Sequence, residues 1–203
     1  RLQVEHAITE ETLGIDLVRW QIEVAQGAAL PGQWRDGSLI PRGHAIEMRL
    51  YAEDPVDFLP RTGTVLDYIE PSGPGVRVDS GITGGSVVGL EYDPLLAKVI
   101  VHAEDRPRAI ERGLRSIEEL VVLGLETNAP LLSAVLRSEE FRSGDYDTGL
   151  VSRLPPLETV PPAPAWIAAA IVLSERRPSG DVGHAPADPW SAESGWTPGA
   201  PSP

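Results

Sequence analysis

Proline divides this chain and limits where a core can form. Of its twenty prolines, eleven fall from Pro155 onward. The stretch PPLETVPPAPA (155–165) reads as an extended, semi-rigid linker. Next, WIAAAIVLSERR (166–177) reads as one short helix, with Arg176 and Arg177 favourable at its C-terminal end. It is apolar over much of its surface, so it needs something to pack on. The closing stretch, DVGHAPADPWSAESGWTPGAPSP, holds too few apolar residues for a core and is expected to fray. No internal repeat is apparent.

Residues 1–150 alternate between strand and helix patterns. RLQVEH (1–6) alternates polar and apolar residues like a strand. IDLVRWQIEVAQG (15–27) reads as a helix, with Asp16 as N-cap, Leu17, Trp20 and Val24 at helical spacing, and Gly27 as its stop. A loop is expected over 32–43. HAIEMRLYAED (44–54) alternates again, with His44, Ile46, Met48 and Leu50 on one face and Ala45, Glu47, Arg49 and Tyr51 on the other. Further strands are expected at 63–69, 75–80 and 95–103. The clearest helix covers 106–121, with Asp105 as cap, Pro107 in its first turn and a buried stripe of Ile110, Leu114, Ile117 and Leu120. A second covers 129–141, capped by Thr127 or Asn128. The pattern predicts an α+β fold with helices on one side of a mostly antiparallel sheet.

Composition excludes several functions. A net charge of -13 argues against nucleic acid as a general partner. The chain has no cysteine, hence no disulfide, thiolate nucleophile or Cys-based zinc site, and its four histidines form no HExxH pair. No apolar run reaches about 18 residues, the length a membrane span needs. No signal peptide is read at the start, in a chain that opens on Arg1.

Two polar strand faces can carry chemistry. Arg1, Gln3 and Glu5 offer a cation fork, an amide and a carboxylate two residues apart. That set suits a small planar oxyanion, with Glu5 able to take a proton. The same pattern also describes a solvated strand face with a cross-strand ion pair. Glu47 and Arg49 pose the same choice: a solvent-facing pair, or an Arg on a rigid strand facing developing negative charge. PSGPGVR (71–77) fits neither phosphate-cradling fingerprint and reads as a tight turn. Asp93, in EYDP (91–94), reads as a turn residue bonding nearby backbone.

Four stretches in order, RLQVEHAITEETLGIDLV, RGHAIEMRLYAEDP, GPGVRVDSGITGGSVVGLEYDPLLAKVIV and ETNAPLLSAVL, resemble the biotin carboxylase component of biotin-dependent carboxylases, from Arg1 to about Leu150. The resemblance implies the edge of an ATP-grasp core (1–40), the biotin carboxylase C-terminal domain (41–150), and a Pro-rich linker with the start of a following region (151–203). It implies ATP and Mg2+ as cofactors, bicarbonate as substrate, and biotin on a carrier domain, carboxylated at N1. By position, Arg1 clamps bicarbonate with the Gln3 side chain and the Val4 backbone N–H. Glu5 is the general base, and Arg49 stabilises the biotin enolate. Thr148 lies near the adenine, and Arg77 and Asp93 at or near a dimer interface. Ala7 stands where the family usually has Pro, which is expected to loosen a turn.

In the family, the metal-binding acids and ATP-gripping lysines precede the RLQVEH strand, so this chain alone is expected to be inactive. ADPWSAESGW (187–196) resembles the segment after the carboxylase region in acyl-CoA carboxylase α-subunits, although Thr197 replaces a basic residue there. That implies a role in acetyl, propionyl or methylcrotonyl-type carboxylation and fatty acid metabolism. The expected partners are a carrier domain, a carboxyltransferase subunit and a second copy, in the cytoplasm. Met48 is the only Met, so the carrier's Met-Lys-Met motif is absent. A non-catalytic dimerisation module, or part of a pyruvate or urea carboxylase, are the alternatives.

Overall fold

The structure, a computed structural model, describes residues 1–157 and 163–175. They belong to two units, Arg1–Glu158 and Thr159–Pro203. The first unit opens with α1 (His6–Leu13), α2 (Leu17–Ala25) and a one-turn α3 (Gly32–Arg35). Seven short strands and two more helices follow: β1 (His44–Tyr51), β2 (Gly63–Thr64), β3 (Asp67–Ile69), β4 (Val76–Ser80), β5 (Val87–Val88), β6 (Leu95–Ala103), α4 (Arg106–Glu119), β7 (Val121–Leu123) and α5 (Ala129–Arg137). The unit closes with α6 (Glu139–Ser143) and α7 (Leu150–Arg153). In the second unit the described residues form α8 (Ala163–Glu175).

The main sheet is antiparallel, in the order β1-β6-β4. β6 is central because LLAKVIVHA is apolar on nearly every position, as a strand covered on both faces must be. On one face, Ile46, Met48, Val99 and Val101 pack against Ala109, Ile110 and Ile117 of α4 and Leu136 of α5. α4 starts where expected: the Asp105 carboxylate accepts from the Arg108 N–H at 2.9 Å, and a proline lies in the first turn. Asp16 caps α2 in the same way, accepting from the Arg19 N–H at 2.8 Å.

Several expectations need correction. RLQVEH is no strand: Arg1–Gln3 has no regular structure, Val4 and Glu5 form a turn, and α1 begins at His6. A strand needs a hydrogen-bonded neighbour, and no described strand pairs with these residues. Alternation nevertheless persists in exposure, with Arg1, Gln3 and Glu5 outward and Leu2, Val4 and His6 half-buried. Ala7 is buried in the first turn of α1, a position that accepts proline readily. Helices cover both sheet faces, because α1 packs on the face opposite α4.

The loop at 32–43 contains α3, and the strand at 63–69 splits into β2 and β3, which pair with β5 and β7 respectively. The helix at 129–141 breaks at Ser138, whose backbone is extended. α8 starts at Ala163, inside the expected linker, with Pro164 in its first turn. The expectations for Arg176, Arg177 and the tail containing ADPWSAESGW lie outside the described residues.

Candidate functional site

The polar face of the main sheet carries two rows of side chains. Pairing places Arg49 opposite Lys98 and Lys98 opposite Asp79 in one row. The next row holds Glu47, Ile100 and Arg77. Charges alternate along β1 (Glu47, Arg49) and along β4 (Arg77, Asp79), whereas Arg49 and Lys98 are like charges placed opposite one another, each with carboxylates beside it.

The contacts form one chain of ion pairs. The Glu5 carboxylate accepts from Arg49 Nη2 at 2.8 Å. Arg49 Nε donates to Glu47 at 3.2 Å. The second oxygen of Glu47 lies 3.8 Å from Lys98 Nζ. Lys98 also donates to the Val4 carbonyl at 2.9 Å and lies 3.3 Å from Asp79. Asp79 receives the Arg77 fork at 2.8 and 3.0 Å, and the remaining Arg77 nitrogen reaches Glu10 at 2.7 Å. Glu10 also caps the start of α2 by accepting from the Leu17 N–H at 2.7 Å.

Burial grades along this chain. The Glu47 and Lys98 side chains are only 3% and 10% exposed, whereas Arg49 and Glu5 are 37% and 55% exposed. Glu47 is thus not solvent-facing: residues 1–13 cover that part of the sheet. Arg49 and Glu5 meet at the open edge of the network, where a small molecule can reach them.

The local fields favour the charged forms. The Glu5 carboxyl sits below the usual carboxylate range, first because its own backbone N–H lies beside it, then through Arg49 and Arg1. Burial disfavours the Arg49 charge, but Glu47 and Tyr51 together more than offset it and raise its pKa. Asp79 is pushed up by burial and pulled further down by Arg77 and Lys98, ending below its ordinary value. The Asp79 carboxylate is first among the groups that raise the Arg77 pKa.

The structure brings Glu5 and Arg49 together, and it sets Arg1, Gln3 and Glu5 along one cleft of about 500 Å3. Leu17, Trp20, Val24 and Trp34 line the same cleft. The Trp rings meet edge-on with centroids 5.7 Å apart. Among the described residues the Arg1 guanidinium has no ion pair. Thr148 sits exposed in the turn before α7, outside the network. Asp93 accepts from the Leu95 N–H at 2.9 Å, as a turn residue does. Arg77 spends its whole fork within the chain.

Three contributors were not singled out from the sequence as site residues: Lys98, Glu10 and Asn128. Asn128 is the N-cap of α5 by position, but its side chain braces β1 instead. Its Oδ1 accepts from the Tyr51 N–H at 2.9 Å, and its Nδ2 donates to the Arg49 carbonyl at 3.1 Å.

Among the described residues no three His, Cys, Asp or Glu side chains group so as to hold a metal ion. No described helix is long and apolar enough to cross a membrane.

The family model of the biotin carboxylase C-terminal domain matches residues 47–153, and that of the carbamoyl-phosphate synthase L chain ATP binding domain matches residues 1–33. The chain belongs to the biotin carboxylase family.

It is 43% identical over 152 residues to biotin carboxylase from Halalkalibacterium halodurans, covering 75% of this chain and 33% of that protein. It is 49% identical over 137 residues to the biotin-dependent acyl-coenzyme A carboxylase alpha3 subunit of Mycobacterium leprae, covering 67% and 22% respectively. Among solved structures, the biotin carboxylase domain dimer of Hydrogenobacter thermophilus 2-oxoglutarate carboxylase, in complex with MgADP, ADP and bicarbonate, matches with TM-score 0.72 and 37% identity, over 75% of this chain and 33% of that one. The chain thus spans a third or less of the length of these relatives.

Proposed function

We propose that this chain supplies the bicarbonate- and biotin-handling edge of an ATP-dependent biotin carboxylase. The observation that carries this reading is the 2.8 Å contact between Glu5 and Arg49 at the exposed edge of an otherwise buried ion network. A carboxylate beside a guanidinium supports a proton abstraction followed by enolate stabilisation.

Arg1 holds bicarbonate through two oxygens, with the Gln3 amide and the Val4 N–H as further donors. The Arg1 charge and these two N–H donors lower the pKa of the bicarbonate hydroxyl, and its proton passes to Glu5 Oε. A glutamate is ionised at neutral pH and the lowered Glu5 pKa keeps it so; its oxygen is therefore unprotonated and able to accept that proton, as a weaker base than a free glutamate. Arg49 then faces the ureido oxygen of biotin, where negative charge would develop as the biotin N1 proton passes to the phosphate released from activated bicarbonate and N1 takes up the CO2 set free with it. ATP with Mg2+ supplies the activating phosphoryl group when bound. Among the described residues no three His, Cys, Asp or Glu side chains group so as to hold the metal, and apart from Thr148 near the adenine the roles proposed for this chain stop at bicarbonate and biotin.

The finer reading is an acyl-CoA acceptor, supported by the Mycobacterium leprae relative. A carrier domain, a carboxyltransferase and a second copy are the proposed partners, in the cytoplasm. Thr148 near the adenine, Arg77 and Asp93 near the dimer contact, and the domain limits at 40 and 150 belong to the same proposal.

The test is bicarbonate-dependent ATP cleavage and carboxylation of free biotin. The chain alone is expected to do neither. Joined in frame to the part of the Halalkalibacterium halodurans enzyme that precedes the match, it is expected to do both. Turnover by the chain alone, or a joined protein that folds yet cleaves no ATP, contradicts the proposal.

A further inference from the structure

We propose that Lys98 is a positioning residue that holds the segment carrying Arg1, Gln3 and Glu5 at a fixed distance from Arg49. This rests on the reading of that segment as the bicarbonate site. Lys98 lies on the central strand β6, directly between Arg49 and Asp79 in register. Its ammonium is nearly buried and serves three oxygens: the Val4 carbonyl at 2.9 Å, Asp79 at 3.3 Å and Glu47 at 3.8 Å. It donates a hydrogen bond to the Val4 carbonyl and holds Asp79 and Glu47 as ion pairs; at 3.8 Å the buried Glu47 oxygen feels its charge but receives no hydrogen bond.

Among the described residues, two side-chain links tie residues 1–5 to the sheet: Arg49 to Glu5, and Lys98 to Val4. The first must open when Glu5 turns to bicarbonate and Arg49 to biotin. The second need not, because it uses a backbone carbonyl. Lys98 also touches Glu47, the residue that orients Arg49 through Nε. One ammonium is therefore common to the support of the base and the support of the cation. The competing account is that Lys98 merely neutralises Glu47 and Asp79, in which case its loss costs stability alone.

Lys98→Met separates the two. In the 203-residue chain, NMR of the Glu5 carboxylate is expected to show its titration midpoint moving up towards that of a free glutamate, because the segment drifts from Arg49, while the amide pattern of the main sheet is kept. In the joined enzyme the KM for bicarbonate is expected to rise about tenfold, with kcat at saturating bicarbonate changed less than about threefold. If Lys98→Met does not fold, Lys98→Arg keeps the charge beside Glu47 and Asp79 but misplaces the donor on Val4. It is expected to raise the bicarbonate KM about threefold.

A lowered Tm with the Glu5 midpoint and the bicarbonate KM unchanged overturns the proposal and leaves charge neutralisation as the role of Lys98. Activity retained in Glu5→Gln removes the functional reading instead, and the NMR result then still decides whether Lys98 tethers the segment.

Discussion

Glu5 and Arg49 lie 44 residues apart in sequence and meet at 2.8 Å. Glu5 falls in the stretch that matches an ATP binding domain, and Arg49 in the stretch that matches the biotin carboxylase C-terminal domain. Their contact therefore joins the two matched stretches: the carboxylate comes from one domain type and the guanidinium from the next.

Glu5→Gln keeps the size of the side chain and its contact with Arg49 but removes the base. In the joined enzyme, bicarbonate-dependent ATP cleavage is expected to fall at least about 100-fold. Because Glu5 is exposed, the Tm is expected to change little. Near-normal cleavage in this variant would end its role as base.

Asn128→Ala removes both partners that its amide gives to β1, the acceptor for the Tyr51 N–H and the donor to the Arg49 carbonyl. Asn128 is buried, so two backbone groups lose their partners out of reach of water. Urea unfolding is expected to show a loss of roughly 2–4 kcal/mol. Asn128→Asp keeps the acceptor but sets a buried carboxylate oxygen against the Arg49 carbonyl, and is expected to lose at least as much at neutral pH.

Asp79 predicts a pH signature. Its folded pKa is depressed, so its stabilisation is complete above the ordinary carboxylate value of about 3.9 and is lost as pH falls through the lowered folded value. Asp79→Asn is expected to cost roughly 1–2 kcal/mol at pH 7, a value reduced from that of a fully buried pair because the carboxylate is partly exposed. Unfolding curves at successively lower pH should show the wild type and the variant converging. A constant difference down to about pH 2 would show that charge is not the source.

Gly75 precedes β4 with φ +71, where a Cβ would collide with the His102 carbonyl and the Arg112 guanidinium. Gly75→Ala is expected to destabilise the chain by more than about 1 kcal/mol, from the backbone conformation and the collision together. Thermal melting checks it.

Much of the framework was legible because it rests on local chemistry. Asp16 and Asp105 were read as caps, and their carboxylates do accept the third N–H of the helix. β1, β4 and β6 follow from alternation or an apolar run. β5 and β7, of two and three residues, are too short to leave a pattern.

RLQVEH misled because alternating exposure arises equally in an irregular segment with one side against a sheet. Lys98 was legible in principle: a lone charge in an apolar strand has to find partners once buried. Asn128 was not, since a residue just before a helix normally spends its side chain on the helix, and only the fold brings β1 within reach. The pairing of Glu5 with Arg49 depends on where α1 docks, which no local pattern encodes.

The most direct measurement of the central claim compares two rates in the joined enzyme carrying Arg49→Ala: carboxylation of biotin, and bicarbonate-dependent ATP cleavage. If Glu5 handles bicarbonate and Arg49 handles the biotin enolate, carboxylation falls at least about 100-fold while ATP cleavage falls less than about fivefold. Equal losses in both rates would contradict that division of labour.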